Sequence, residues 1–126
     1  MAAPIRVLDV GQCPPDHATI RNYLGALFPG VQVVPAHDLA EAVAELKNGG
    51  YDLVLVNRKL DRDYSDGLEV IRAMKRDPEI SAVPVMLVTN YPEHQEAAVA
   101  EGAVYGFGKL QFDSPETAAK LRAILA

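Results

Sequence analysis

A short apolar run followed by an amphipathic helix is the pattern that most constrains this fold, and it recurs five times along the chain. Its clearest copy is the predicted strand 52–56, in which residues 53–56 are all apolar, followed by a polar loop and then a helix from Ser65 to Arg76. Continuous apolar runs of this length are typical of strands covered on both faces. Five such strand–helix units predict an α/β fold: a five-stranded parallel sheet with helices on both faces.

Turn and capping residues set the bounds of these elements. Pro14-Pro15 precedes the first helix, and Asp38, with Glu41 three residues later, predicts a capping box at the start of the second. The predicted strands cover residues 5–10, 31–34, 52–56, 83–88 and 104–107. The predicted helices begin near residues 16, 39, 65, 92 and 115.

Length and composition limit the function classes. A chain of 126 residues is expected to form a single domain, residues 1–126. The formal net charge of −5 argues against a nucleic-acid partner, which usually requires a basic patch. The single cysteine excludes an internal disulfide and fits a reducing compartment. There is no signal peptide and no apolar run near the roughly 20 residues of a membrane span, so we expect a cytoplasmic protein without membrane contact.

In a parallel sheet the functional crevice lies beyond the carboxyl ends of the strands. The residues that follow the first, third, fourth and fifth predicted strands are Gly11, Gln12, Cys13, Asn57, Arg58, Thr89, Asn90, Gly108 and Lys109. Asn57 carries an amide, which is no nucleophile for phosphoryl transfer. The crevice therefore indicates binding rather than phosphoryl chemistry.

Four segments, YDLVLVN, SDGLEVIRAMKRDP, VPVMLVTN and AEGAVYGFGK, resemble in this order the receiver domain of two-component response regulators. The resemblance covers almost the whole chain and implies the flavodoxin-like (βα)5 receiver fold. In that family an acidic pair follows strand one, a phosphoaccepting aspartate strand three, a Ser/Thr strand four and a Lys strand five. The resemblance places Asn57 at the phosphoacceptor position and Gln12 and Cys13 at the acidic pair, while Thr89 and Lys109 match.

These replacements bear on the metal that the family uses. Mg²⁺ in such sites relies on carboxylates together with phosphate oxygens. All three carboxylate positions carry neutral groups here, so we expect weak or absent Mg²⁺ binding, no other cofactor and no phosphoryl transfer. Lys109 could hold an anion, pair with a loop aspartate or hydrogen-bond Asn57, and we favour the last.

The family's aromatic switch residue lies three positions before the Lys, which is Gly106 here. Tyr105 and Phe107 on either side of it point to the other face of a regular strand. We therefore expect the rotamer switch to be missing, unless a bulge near Gly106 or Gly108 restores an aromatic side chain.

The sequence thus predicts a stand-alone, atypical receiver that is not an enzyme and acts as a phosphorylation-independent protein–protein interaction module. Its expected partner is another signalling protein, such as a sensor kinase or an output protein, or a second copy of the chain. In receivers the partner face is formed by helix four, strand five and helix five. On this chain that face would include Gln95, Val99, Tyr105, Phe107, Lys120 and Arg122, with Tyr105 or Phe107 as an aromatic anchor.

Two alternatives stay open. The chain could be a working phosphoacceptor that uses a displaced carboxylate such as Asp61. It could also be a redox or anion sensor built on Cys13 and Lys109. The three histidines, His17, His37 and His94, fall on different elements and are expected to have surface or capping roles.

Overall fold

The computed structural model describes residues 4–126. The strands are β1 (Arg6–Val10), β2 (Gln32–Ala36), β3 (Leu53–Asn57), β4 (Val85–Val88) and β5 (Val104–Phe107). The helices are α1 (Pro14–Leu27), α2 (Leu39–Lys47), α3 (Gly67–Arg76), α4 (Pro92–Ala100) and α5 (Pro115–Leu125), and a 3₁₀ turn covers Lys109–Gln111. The strands form one parallel sheet in the order β2-β1-β3-β4-β5, which confirms the predicted fold class.

The helix starts agree with the capping signals, with small shifts. Asp38 accepts a 2.8 Å hydrogen bond from the Glu41 amide, whereas the Glu41 carboxylate accepts from the His37 amide at 2.8 Å rather than from that of Asp38, so half of the predicted capping box forms. Helix α1 begins at Pro14 rather than near Asp16, because proline suits the first turn, where its missing N–H has no partner to lose. Helix α3 begins at Gly67 rather than at Ser65, since the Asp66 carboxylate caps it by accepting from the Leu68 amide.

The sheet separates two apolar cores. Leu8, Val10, Val54 and Val56 pack on the side of α2, α3 and α4, and their strand neighbours Val7, Leu53 and Leu55 pack on the side of α1 and α5. This alternation is the period-two geometry of strands buried on both faces. It also places the side chain of Asp9, between Leu8 and Val10, on the α1–α5 side of the sheet, where it is buried.

A bulge distorts the edge strand β5. Met86 pairs with Val104 and Val88 pairs with Phe107, so two steps along β4 correspond to three along β5. The Gln95 amide from α4 fills this gap in the ladder. It donates to the Leu87 carbonyl at 2.9 Å and accepts from the Gly106 N–H at 2.8 Å. Gln95 thereby satisfies backbone groups that would otherwise be buried without a partner.

The bulge determines which side chains of β5 face outward. Val104 and Tyr105 are both 41% exposed, whereas Gly106 and Phe107 are buried. A Cβ at Gly106 would lie 2.3 Å from the Leu87 carbonyl oxygen, so no other side chain fits there. The bulge therefore exposes Tyr105 without placing an aromatic residue at the switch position.

The prediction of the partner face is wrong for two residues, Gln95 and Phe107. Gln95 is only 2% exposed because its amide lies between β4 and β5, and Phe107 is 1% exposed because it packs in the α1–α5 core. Neither side chain is available to a partner.

We predict that Gly106→Ala lowers the free energy of unfolding by about 2 kcal/mol, because the new methyl group collides with the Leu87 carbonyl and displaces Gln95. Gly25→Ala in α1 is the matched control. A Cβ there meets nothing within 4 Å, so this change should stabilise the protein by about 0.5–1 kcal/mol. Denaturant unfolding of both variants measures the difference. Equal effects at the two sites would contradict the described packing around Gly106.

Candidate functional site

Asn57 lies at the carboxyl end of β3 and makes two hydrogen bonds to the backbone. Its side-chain nitrogen donates to the Lys59 carbonyl at 2.8 Å and to the Gly11 carbonyl at 3.3 Å. An ionised aspartate has no N–H and could make neither bond. Asn57 therefore joins the end of β1 to the β3–α3 loop, which is a role specific to the amide.

Lys109 does not bond to Asn57, and that prediction is wrong. Its Nζ donates instead to Asp16 Oδ2 at 2.7 Å, an ion pair between the end of β5 and the first turn of α1. The hydrogen bond from Lys109 holds the pKa of Asp16 below its usual range. The lysine of the crevice thus has a counter-ion within the chain.

Thr89, at the end of β4, is held by two donors. The Tyr91 backbone N–H and His94 Nδ1 each lie 3.3 Å from Thr89 Oγ1. On the other side of the ring, Arg58 Nε donates to His94 Nε2 at 3.2 Å. Because a guanidinium can only donate, the His94 ring accepts at Nε2 and carries its proton on Nδ1, from where it donates to Thr89. His94 therefore links Thr89 to Arg58.

Asp9 and His17 form a buried pair beneath this crevice. Asp9 Oδ2 lies 2.7 Å from His17 Nδ1, and Asp9 Oδ1 has no hydrogen-bond partner among residues 4–126. Burial raises the pKa of Asp9 to about 8, against the opposing charge of Lys109, and burial also lowers the pKa of His17. Both shifts favour the neutral forms, so near neutral pH the Asp9 carboxyl group donates its proton to His17 Nδ1.

The side chains of the crevice do not fit a Mg²⁺ ion. Gln12 is buried, and neither of its amide atoms has a hydrogen-bond partner within the described part of the chain. The nearby carboxylates are engaged: Asp9 with His17, Asp16 with Lys109, and Asp61 with His37. Within residues 4–126 no three His, Cys, Asp or Glu side chains converge as a metal site. A hard cation would have to displace these bonds to gain carboxylate ligands.

In both alternative functions, the redox or anion sensor and the phosphoacceptor at Asp61, the key charged group is already paired within the chain. Cys13 is half-buried at the N-terminus of α1, and Lys109, the cation that a thiolate or anion sensor would use, is paired with Asp16. Asp61, the displaced phosphoacceptor of the other alternative, has its two oxygens 3.1 and 3.0 Å from His37 Nδ1. Either function would require an existing bond to break.

The sequence prediction missed the histidines. The sequence predicts surface or capping roles for His17, His37 and His94, whereas in the structure they contact Asp9, Asp61 and Thr89 respectively. Asp9 in an otherwise apolar strand was the available signal, because a buried carboxyl group requires a polar partner or a proton. For His37 and His94 no local pattern gives the partner, since each contact joins two different loops or elements.

The fold and the strand-end residues define a parallel α/β protein with a threonine and a lysine at its crevice, and comparisons agree with this class. Residues 15–120 match the response regulator receiver domain family. Chemotaxis protein CheY4 of Vibrio cholerae is 23% identical, with a TM-score of 0.75 over 98% of this chain and 100% of that one. The phosphorylated cyanobacterial phytochrome response regulator RcpA is 21% identical, with a TM-score of 0.71 over 97% and 91%. The receiver domain of Francisella response regulator 1452 is 16% identical, with a TM-score of 0.76 over 95% of each chain.

The chain therefore belongs to the response regulator receiver domain family. The structural likenesses, at these identities, establish the shared fold. Receiver domains are generally non-enzymatic signalling modules that interact with other signalling proteins, such as kinases or output domains. Within residues 4–126 no helix is both long and apolar enough to cross a bilayer.

The buried Asp9 carboxyl group predicts a specific pH dependence of stability. Its pKa is about 8 in the folded state against 3.8 for the free side chain, so between these values the folded state holds the extra proton. The free energy of unfolding should therefore fall as pH rises, by up to about 1.4 kcal/mol per pH unit from this group. The lowered pKa of His17 acts in the opposite direction, but only below pH 6.5, the ordinary pKa of a free histidine side chain.

We predict that Asp9→Asn removes this slope between about pH 6.5 and 8, since the amide can still donate to His17 and has no charge to bury. Glu96→Gln, which removes an exposed carboxylate of α4, is the control and should keep the wild-type slope. Urea unfolding at several pH values measures both. A wild-type slope that persists in Asp9→Asn would show that Asp9 is not the titrating group.

Proposed function

We propose that this receiver domain acts in signal transduction as a phosphorylation-independent protein–protein interaction module. The observation that carries the proposal is the 2.7 Å ion pair between Lys109 and Asp16. In the family, Lys109 is the position that reads the phosphoryl group, and here a carboxylate of the chain already neutralises it. At the same time Asn57 offers no nucleophile, and its amide nitrogen is used in two backbone bonds.

The hydrogen bonds between the crevice and strand β5 support the same proposal. In the family, the hydroxyl after strand four reads the phosphoryl group, and an aromatic residue on strand five is the rotamer switch. Here Thr89 is held by His94 and by the Tyr91 amide. Position 106 has no side chain, and the Gln95 amide lies beside it. Hydrogen bonds within the chain hold both Thr89 and the backbone at position 106, so the domain is expected to keep one conformation.

The partner face, as the structure revises it, consists of the exposed residues Val99, Val104, Tyr105 and Arg122 together with Lys120. Lys120 Nζ lies 4.6 Å above the Tyr105 ring and donates to the Gly106 carbonyl at 3.1 Å. This contact orders the ring in the free protein, which reduces the entropy lost on binding. Tyr105 is therefore the proposed anchor for a kinase, an output protein or another signalling partner.

A second candidate function is phosphoryl acceptance by Asp61. The observation in its favour is that the Asp61 carboxylate is partly exposed on the β3–α3 loop, whereas Asp9 is buried. Against it, His37 already contacts both oxygens of Asp61. Covalent labelling by a phosphoryl donor distinguishes this function from the interaction module.

We predict that acetyl phosphate with Mg²⁺ leaves no phosphoryl adduct on the wild-type protein in intact-mass spectrometry. Asn57→Asp should also remain unlabelled, because Gln12 and Cys13 cannot hold Mg²⁺ and Lys109 stays paired with Asp16. A receiver that has all three carboxylates, treated in parallel, is the positive control. Wild-type labelling that disappears in Asp61→Asn would establish the second candidate. Efficient labelling of Asn57→Asp would contradict the account of the metal site.

A further inference from the structure

Asp9 is a buried carboxylic acid that holds its proton at neutral pH. Its Oδ2 lies 2.7 Å from His17 Nδ1 on α1, and its Oδ1 has no hydrogen-bond partner among residues 4–126. Burial raises the pKa of Asp9 to about 8, so a modest rise above neutral pH ionises it. A buried group that titrates this close to neutral pH at the base of a cleft is a candidate for a functional role.

Besides His17, four titratable groups act on the charge of Asp9, and they come from four different parts of the crevice. Lys109 at the end of β5 and His37 at the end of β2 favour the ionised form of Asp9. Asp16 of α1 and Asp61 of the β3–α3 loop disfavour it. Lys109 has the largest effect of the four. The charge of Asp9 is therefore linked to the position of the lysine of the crevice.

Lys109 is bound to a carboxylate that is much more exposed than Asp9. Its Nζ donates to Asp16 Oδ2 at 2.7 Å, and the side chains of Lys109 and Asp16 are 31% and 40% exposed. An ion pair this exposed contributes little to stability, whereas a buried carboxylate without a counter-ion is strongly destabilising. When Asp9 ionises, pairing Lys109 with Asp9 therefore stabilises the protein more than keeping it on Asp16. Within the described residues, Asp9 Oδ1 is the oxygen that can accept this bond.

His17 allows Asp9 to ionise without losing its hydrogen bond. Burial, together with Arg21 and His37, holds the pKa of His17 below its usual range, so the His17 ring is neutral on both sides of the transition. When Asp9 ionises, its O–H bond breaks and that proton binds Nδ1 of His17, while the proton on Nε2 passes to solvent. One proton leaves in total, and the hydrogen bond between Asp9 and His17 persists with donor and acceptor exchanged. The tautomer of His17 therefore reports the charge of Asp9.

We propose that Asp9, His17 and Lys109 form a proton-operated switch, in which loss of the Asp9 proton draws Lys109 from Asp16 to Asp9. The switch releases the Asp16 carboxylate in the first turn of α1 and moves the 3₁₀ turn that begins at Lys109. Leu110 in that turn is 84% exposed, so a surface beside the crevice changes with pH. Near neutral pH the Lys109–Asp16 pair persists, as the proposed function requires. This inference goes beyond that function, since it needs neither a phosphoryl group nor the α4–β5–α5 face.

The test is an NMR titration of the isotope-labelled full chain between about pH 6 and 9.5. Nitrogen shifts of the His17 ring identify which nitrogen carries the proton, and carboxyl carbon shifts follow Asp9 and Asp16. We expect the Nε2–H tautomer below a midpoint near the Asp9 pKa of about 8 and the Nδ1–H tautomer above it, with the Asp16 resonance changing at the same pH. A His17 ring that keeps one tautomer throughout, or an Asp16 resonance that does not follow Asp9, overturns the proposal.

Substitutions of the two members of the ion pair should move this midpoint in opposite directions. Lys109→Gln removes the cation that favours ionised Asp9, so the midpoint should rise by about one pH unit, which is tenfold in proton affinity. Asp16→Asn removes a negative charge and frees Lys109, so the midpoint should fall by about the same amount. Both variants break the same ion pair, so a merely structural role of that pair does not predict shifts of opposite sign. Shifts of the same sign, or no shift in either variant, overturn the proposal.

Asp9→Asn and Glu96→Gln are the controls. In Asp9→Asn the amide donates to His17 Nδ1 at every pH, so the tautomer change and the change at Asp16 should both disappear. Glu96→Gln removes an exposed carboxylate of α4 and should leave the midpoint within about 0.2 pH units of the wild type. An Asp16 resonance that still titrates near the Asp9 pKa of about 8 in Asp9→Asn would assign the change to another group and overturn the proposal.

Discussion

Burial of the central strands on both faces is the constraint on which the rest of the structure depends. With β1 and β3 covered by helices on either side, polar chemistry is confined to the strand ends. Asp9 is the exception, and the structure accommodates it by keeping it protonated against His17. Burial also holds Phe107 in the core, whereas Val104 and Tyr105 of the edge strand β5 are exposed.

The positions that correspond to the receiver's phosphorylation site and aromatic switch are engaged here by bonds within the chain. Asp16 neutralises Lys109, and His94 holds Thr89. The Asn57 amide joins two backbone carbonyls, and Gln95 occupies the gap beside β5. These bonds come from three different elements, α1, β3 and α4, and a change at Asn57 leaves the other three bonds in place. We therefore expect that a single reversion at Asn57 does not restore a switch.

The sequence could predict the fold and the strand-end positions, because both follow from apolar periodicity and turn residues. It could not predict the partner of Lys109, since Asp16 lies ninety-three positions away in the chain and the choice depends on how α1 is oriented. The resemblance to receivers places Gln95 on the partner face, because it lies in the fourth helix. Its burial depends on a bulge in β5. The local signal for that bulge is the pair of glycines on either side of Phe107, and it does not predict that Gln95 is buried there.

The measurement that tests the central claim most directly is an amide NMR titration with Mg²⁺ followed by beryllofluoride, a mimic of the phosphoryl group. The account predicts that resonances of Asn57, Thr89 and Lys109 do not shift in a saturable way, and that Tyr105 is unaffected. Saturable, Mg²⁺-dependent shifts that extend from the crevice to Tyr105 and α5 would contradict it, because they would mean that the fixed bonds of the crevice give way to a phosphoryl group.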